Sequence, residues 1–204
     1  MLYVARHGQT DWNVREVICG RFDAELTKTG ELQALQLGQE IDRQNLTFSR
    51  VIVSPLTRAK HTAHLALKER KRLQKANLVK GTSLEGVYFM GEPSDREIDS
   101  FIEVDERLIE MDFGEIEGFG RFDETYLFYR RQFAAKFPGG ESLFEVAKRV
   151  YSLLDELKEE QGDILLVCHG CVCRVIHSYF NTLTNEEFDN WQAENATLYA
   201  YCWD

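Results

Sequence analysis

Short apolar runs without polar alternation punctuate this chain, and stretches with helical spacing separate them. Leu2-Tyr3-Val4-Ala5, Val51-Ile52-Val53 and Ile164-Leu165-Leu166-Val167 are the three clearest runs. A strand that is apolar on both faces belongs in a parallel sheet covered on each side. Thr27-Lys28-Thr29-Gly30 leads into a helical pattern whose apolar face reads as Leu32, Leu35, Leu37 and Ile41. Ser54-Pro55 is expected to open the next helix, with serine as N-cap and proline at the first helical position. That helix carries Arg58, Ala59, His61, Thr62, Ala63 and Leu65 and runs on toward Leu73. A short strand is expected around Phe101 to Val104, and a helix over 121–137 ended by Pro138-Gly139-Gly140. Ser142-Leu143-Phe144-Glu145 is a capping box. It opens a long helix with the core face Phe144, Val146, Val150, Leu153, Leu154 and Leu157. Residues 171–180 read as helix. A second capping box at Thr184 to Glu187 precedes a short helix, and Thr197 to Trp203 reads as a closing strand. The pattern predicts an α/β fold: a three-layer αβα arrangement around a central, mostly parallel sheet.

One stretch departs from this rhythm. Lys68-Glu69-Arg70-Lys71-Arg72 is a charge run, and Gly81, Gly86, Gly91 and Pro93 follow it. Residues from about 68 to 98 are expected to be an exposed helix end and a loop-rich insertion in a single domain spanning 1–204.

Composition narrows the class. At 204 residues and 44% apolar, the chain is long enough for one proper core and is globular. No apolar run approaches the roughly 18 residues that span a bilayer. Strand-like residues from position 2 leave no room for a signal peptide. The formal net charge of −10 argues against nucleic acid and anionic membranes as partners. It leaves open a small phosphorylated substrate, which needs only a local cationic pocket. Five cysteines in no disulfide spacing suit a reducing cytoplasm.

The chemistry gathers at the ends of the apolar runs. Arg6-His7-Gly8-Gln9-Thr10 follows the first. Arginine offers a fixed cationic fork for phosphate oxygens, and histidine a nucleophile, acid or base near neutral pH. Glycine allows a sharp turn and close approach of a ligand. Arg58 lies in the first turn after the second run, and His169-Gly170 follows the third. Ligands of parallel sheets sit outside the carboxyl ends of the strands, so two guanidiniums and two imidazoles are expected on one rim. Helix N-termini there add N–H donors. Such a set matches a dianionic phosphoryl group. His7, at the strand end, is read as the nucleophile, kept neutral by the nearby arginines. His169 is read as a second imidazole stabilising the equatorial oxygens. Glu110, between Ile109 and Met111, is the candidate proton donor, a carboxylic acid in a sheltered place.

Together these residues resemble the histidine phosphatase superfamily, also called phosphoglycerate mutase-like. The matching stretches are Arg6 to Thr10 with Trp12-Asn13, Leu26-Thr27 with Gly30 and Gln33-Ala34, and Ser54 to Ala59 with Thr62-Ala63. Leu108 to Gly114 with Glu117-Gly118, Pro138 to Ser142, and His169-Gly170 with Arg174 complete them. The resemblance implies a phosphohistidine on His7, with Arg6, Arg58 and His169 holding the phosphate. Glu110 would protonate the leaving alcohol and then activate water. Asn13 corresponds to a phosphate-side residue, and no metal or cofactor is implied. Gly8, Gly170 and Arg21 join the expected substrate-binding set. So do Arg130 and Arg131, which resemble an arginine pair in the mutase branch. The implied activity is that of a metal-independent phosphomonoesterase of the histidine acid type. A phosphoglycerate mutase and a non-catalytic phospho-ligand module are the alternatives. The short segment between Gly118 and Pro138 favours hydrolysis over a mutase.

The family usually has serine where this chain has Cys168. With Cys171 and Cys173 it makes C-x-x-C-x-C, open to a zinc reading or, more readily, a redox-sensitive thiol beside the site. His61, His64 and His177 read as ordinary helix histidines, and Gly118-Phe119-Gly120 as no dinucleotide motif, since no strand precedes it.

Overall fold

The computed structural model describes residues 1–81 and 94–203, without the side chains of residues 76–81. In chain order the elements are β1 (Leu2–Arg6), α1 (Asp11–Val14), α2 (Lys28–Arg43), β2 (Phe48–Val53), α3 (Thr57–Gly81), α4 (Asp95–Asp99) and β3 (Ile102–Val104). Two 3₁₀ turns follow, at Glu106–Leu108 and Gly114–Ile116. Then come α5 (Glu124–Arg130), α6 (Leu143–Leu157), β4 (Asp163–Cys168), α7 (Gly170–Phe180), α8 (Asn185–Asn190) and β5 (Leu198–Tyr201).

The sheet runs β3-β2-β4-β1-β5. β1, β2, β3 and β4 are parallel, and β5 closes the edge antiparallel to β1. Alternate residues of each strand feed two separate cores. Leu2, Val4, Ile164 and Leu166 pack with Val146, Val150 and Leu153 of α6 and Val172 and Ile176 of α7. Tyr3, Ala5, Leu165 and Val167 pack with Leu37 and Ile41 of α2 and Ala59, Ala63 and Ala66 of α3. This is the three-layer α/β fold, and it explains why the strands lack polar alternation: both faces are buried. α2 and α3 meet backbone to backbone. A Cβ at Gly38 would come within 2.3 Å of the Ala66 carbonyl oxygen.

Several expectations shift. Leu32 and Phe144, assigned to core faces, are 60% and 61% exposed. The buried stripe of α2 is Ala34, Leu37, Gly38 and Ile41, an i, i+3, i+4, i+7 set that turns Leu32 outward. In α6 the buried stripe begins at Val146. α3 starts at Thr57 rather than at Pro55. Asp23 supplies its end from another segment, accepting from Thr57 N (2.9 Å) and Thr57 Oγ (2.5 Å). The expected helix over 121–137 is confined to Glu124–Arg130, capped by Asp123. The expected insertion at about 68–98 lies in part outside the described residues. Residues 68–81 prolong α3, and α4 is tied to it through His64–Asp99 (2.7 Å) and Lys71–Glu97 (2.8 Å). The closing strand covers Leu198–Tyr201 only.

Strand register levels the site. Arg6 is paired with Cys168, and His7 N donates to the Cys168 carbonyl (2.9 Å). Ser54 N donates to the Val167 carbonyl (3.0 Å). The carboxyl ends of β1, β2 and β4 therefore deliver His7, Ser54 and His169 to one rim.

Candidate active site

A cavity of about 110 Å³ opens at that rim. Arg6, His7, Asn13, Arg58, Glu110 and Gly170 all line it. Six sequence-predicted residues from five separate segments thus meet in one place.

His7 is 4% exposed, and its Nδ1 lies 2.7 Å from the Gly8 carbonyl. A carbonyl only accepts, so Nδ1 carries the hydrogen and Nε2 keeps its lone pair. Burial first, then the charges of Arg58 and Arg6, hold the ring well below the ordinary histidine range, outweighing the Gly8 bond. His7 is a neutral imidazole with a free nitrogen.

Arg58 is 1% exposed and fully oriented. Its Nη1 donates to the Phe22 carbonyl (2.7 Å), Nη2 to the Gly20 carbonyl (2.7 Å) and Nε to His169 Nδ1 (3.2 Å). Trp12 stacks on Phe22 at 5.1 Å and braces that loop. Arg6 donates through Nη1 to the Ala193 carbonyl (3.0 Å), and its buried Nε has no partner. Neither arginine has a carboxylate ion-pair partner among the described residues. An orphaned buried donor beside two uncancelled positive charges is what an anion would satisfy.

His169 departs from expectation. It is wholly buried and does not line the cavity; it stands behind Arg58, its ring 5.2 Å from that of His7. Arg58 can only donate, so His169 Nδ1 accepts and Nε2 donates to Ser54 Oγ (2.6 Å). Burial first, then the charge of Arg58, push this ring well below the ordinary histidine range as well. The Ser54 hydroxyl also accepts from Leu56 N (3.3 Å), just before α3 begins.

Glu110 is 6% exposed and lines the same cavity as His7. Oε1 accepts from Met111 N (2.9 Å) and Oε2 from Cys171 N (3.1 Å) in the first turn of α7. Gly170 sits beside both groups: a Cβ there would lie in ordinary contact with Arg6 Nε (3.7 Å) and Glu110 Oε2 (3.8 Å). Asn13 accepts from Thr10 N through Oδ1 (3.0 Å), and no protein group among the described residues takes its NH₂.

Four expected residues stand differently. Gly8 turns away from the cavity. Its Cα packs on α2, where a Cβ would come within 2.4 Å of the Gly30 carbonyl oxygen. Arg21 pairs with Glu141 (3.1 Å) and Asp112 (3.4 Å), outside the cavity. Arg131 is exposed and does not line the cavity. Arg130 does line it, with its charge cancelled by Asp189 (2.6 Å).

Two arginines not assigned to the site from sequence take their place. Arg121 and Arg174 line the mouth with Tyr126, Tyr129 and Phe188. Arg121 donates to Gln192 Oε1 (3.3 Å). Arg174 donates to the Trp191 carbonyl (3.0 Å) and lies over the Phe188 ring (5.6 Å). Neither is paired with a carboxylate among the described residues. Arg174 was legible as the residue one turn after Gly170 on α7. Arg121, in a loop, carried no signal.

The three clustered cysteines do not converge. Cys168 and Cys173 sulfurs are 3.4 Å apart and buried, while Cys171 turns to Met111 Sδ (3.7 Å). Burial pushes the Cys171 thiol up to about 12, far from a reactive thiolate.

Comparison with known proteins identifies relatives of this chain. A family model described as the histidine phosphatase superfamily (branch 1) matches residues 2–80 and 92–204. A 2,3-bisphosphoglycerate-dependent phosphoglycerate mutase of Parvibaculum lavamentivorans is 30% identical over 200 residues, covering 92% of this chain and 82% of the mutase. The fold is similar to that of the alpha-ribazole phosphatase from Shigella flexneri, with a TM-score of 0.71 and 25% identity over 97% of this chain and 87% of the other. It is also similar to a mycobacterial glucosyl-3-phosphoglycerate phosphatase solved with VO3, with a TM-score of 0.69 and 25% identity over 97% and 90% of the two chains.

Proposed function

Because this chain belongs to branch 1 of the histidine phosphatase superfamily, we propose that it hydrolyses a small phosphorylated metabolite through a phosphohistidine on His7. The observation that carries the reading is the state of that ring. Its Nδ1 is tied to the Gly8 carbonyl, burial and the two arginines hold it well below the ordinary histidine range, and those guanidiniums have no carboxylate ion pair among the described residues.

In the proposed reaction the phosphoryl oxygens settle between Arg6, Arg58, the Asn13 amide and the N–H groups at the start of α7. His7 Nε2 attacks phosphorus. The P–O bond to the leaving alcohol breaks, and that oxygen takes a proton from Glu110. A water then gives its proton to the Glu110 carboxylate and attacks phosphorus, the P–N bond breaks, and phosphate leaves. Arg6 and Arg58 stabilise the charge on the equatorial oxygens throughout. His169 orients Arg58 from a ring 5.2 Å from that of His7. In this reading the steps are carried by His7, Glu110 and the two arginines without a metal, and the activity is that of a phosphomonoesterase of the histidine acid type.

Arg121 and Arg174 favour a substrate with a second anionic group beyond the phosphate. The mutase name borne by similar proteins suits the same substrate class, and a phosphoglycerate mutase is the second reading. Supplying a bisphosphoglycerate primer with a monophosphoglycerate separates the two: free phosphate supports hydrolysis, interconversion supports the mutase. Phosphate release from an aryl phosphate in EDTA tests the reading itself; turnover no greater than that of His7→Ala would overturn it. Among the described residues no helix is long and apolar enough to cross a membrane. The five free thiols suit a reducing compartment, in keeping with a proposed cytoplasmic location.

A further inference from the structure

Glu110 stands on a stretch of chain with no ladder to hold it. Residues 109–113 belong to neither helix nor strand, yet this is where a carboxyl must be placed to within a fraction of an ångström. The backbone groups there need partners from elsewhere.

Arg149 of α6 supplies them. Its Nη1 donates to the carbonyls of Arg107 (2.7 Å) and Ile109 (2.6 Å). Nη2 donates to the Glu110 carbonyl (3.3 Å) and to Glu141 Oε2 (3.1 Å), and Nε to Glu141 Oε1 (3.2 Å). A guanidinium has five N–H donors, and all five are used. Glu141 completes the bracket from the other side, accepting from Asp112 N (3.0 Å) through Oε2. Arg149 does not line the cavity, and its charge is cancelled by Glu141, so it serves neither phosphate nor leaving group directly.

We propose that Arg149 is a positioning residue for the proton donor, holding the Glu110 backbone from behind so that its carboxyl meets the leaving oxygen. This rests on the reading of Glu110 as acid and base. Lysine cannot replace Arg149, because three donors on one nitrogen cannot span three carbonyls and a carboxylate.

The test reads kcat/KM across a series of aryl and alkyl phosphates of rising leaving-group pKa. A nitrophenolate departs with little help, whereas an alkoxide needs its proton in the transition state. Arg149→Lys and Arg149→Met are expected to lose about threefold or less on p-nitrophenyl phosphate and about 10²-fold on an alkyl phosphate, the lower end of what general acid catalysis supplies. Glu141→Gln, milder in its effect on folding, is expected to steepen the same dependence less. A loss uniform across the series, or no loss, would overturn the proposal. Glu110→Gln run in parallel separates the two failures. If it too leaves the leaving-group dependence unchanged, the acid has been misassigned. If it steepens the dependence and the Arg149 and Glu141 variants do not, the positioning claim alone falls.

Discussion

At the β3 edge of the sheet, Arg50 pairs with Glu103 and Glu160, and Arg107 with Asp105 and Glu156. In the cavity, Arg6 and Arg58 meet three backbone carbonyls and one imidazole nitrogen. The side chains are the same, and the neighbours are opposite. A carboxylate both orients a guanidinium and cancels it. A carbonyl or a neutral imidazole orients it and leaves its charge in place. In a chain of net charge −10, with carboxylates in plenty, two guanidiniums at one rim with no ion pair among the described residues mark that rim for an anion supplied from outside. Arg149 shows the intermediate case, with a carboxylate for its charge and three carbonyls for its geometry.

The comparison breaks or sharpens by substitution. The largest effect belongs to the nucleophile: His7→Ala is expected to reduce kcat by at least about 10⁴-fold, the scale seen when a covalent catalyst is removed. Steady-state phosphate release measures it. Arg58→Ala should slow turnover roughly 10²–10³-fold, as for losing one preorganised transition-state donor. A loss below about threefold would remove Arg58 from the phosphate site. At the mouth, Arg121→Ala or Arg174→Ala should raise KM about tenfold for a substrate with a second anionic group, the size of one charged hydrogen bond. An aryl phosphate lacking that group should be spared, and an equal effect on both would remove the second-anion reading.

A smaller effect is thermodynamic. His7 and His169 have folded-state pKa values lowered by burial and then by the arginines. An unfolded histidine titrates near 6.5, so below that pH the unfolded chain binds more protons than the folded one. Stability from this source is full above about pH 6.5 and falls as the pH drops from there toward the lowered folded values. Thermal unfolding from pH 8 to 5 should show Tm declining below about 6.5, with inorganic phosphate reducing the decline. A flat or rising profile would contradict neutral buried imidazoles. Smallest of all, Arg50→Ala at the β3 edge should leave kcat/KM unchanged, because its charge is already cancelled.

Much of this was readable in advance where chemistry and chain order coincide. Arg6, His7, Arg58 and Gly170 each follow an apolar strand, and in a parallel sheet such positions share a rim. Glu110 was readable from its sequence match; its placement depends on Arg149, 39 residues on, which no local pattern reveals. His169 was found, but not its place behind Arg58. That place is set by contacts with Arg58 and Ser54, more than a hundred residues away in the chain. Leu32 and Phe144 failed because apolar residues on a helix face outward whenever the stripe is set by other positions. Arg21 lost its expected role to Asp112 and Glu141, partners that only the folded chain brings near.

The most direct measurement is rapid quenching of the enzyme into alkali during turnover of a ³²P-labelled phosphomonoester. The account predicts label that is acid-labile, alkali-stable, located on His7 and absent in His7→Ala. Turnover with no such adduct, or label on any other residue, would contradict it.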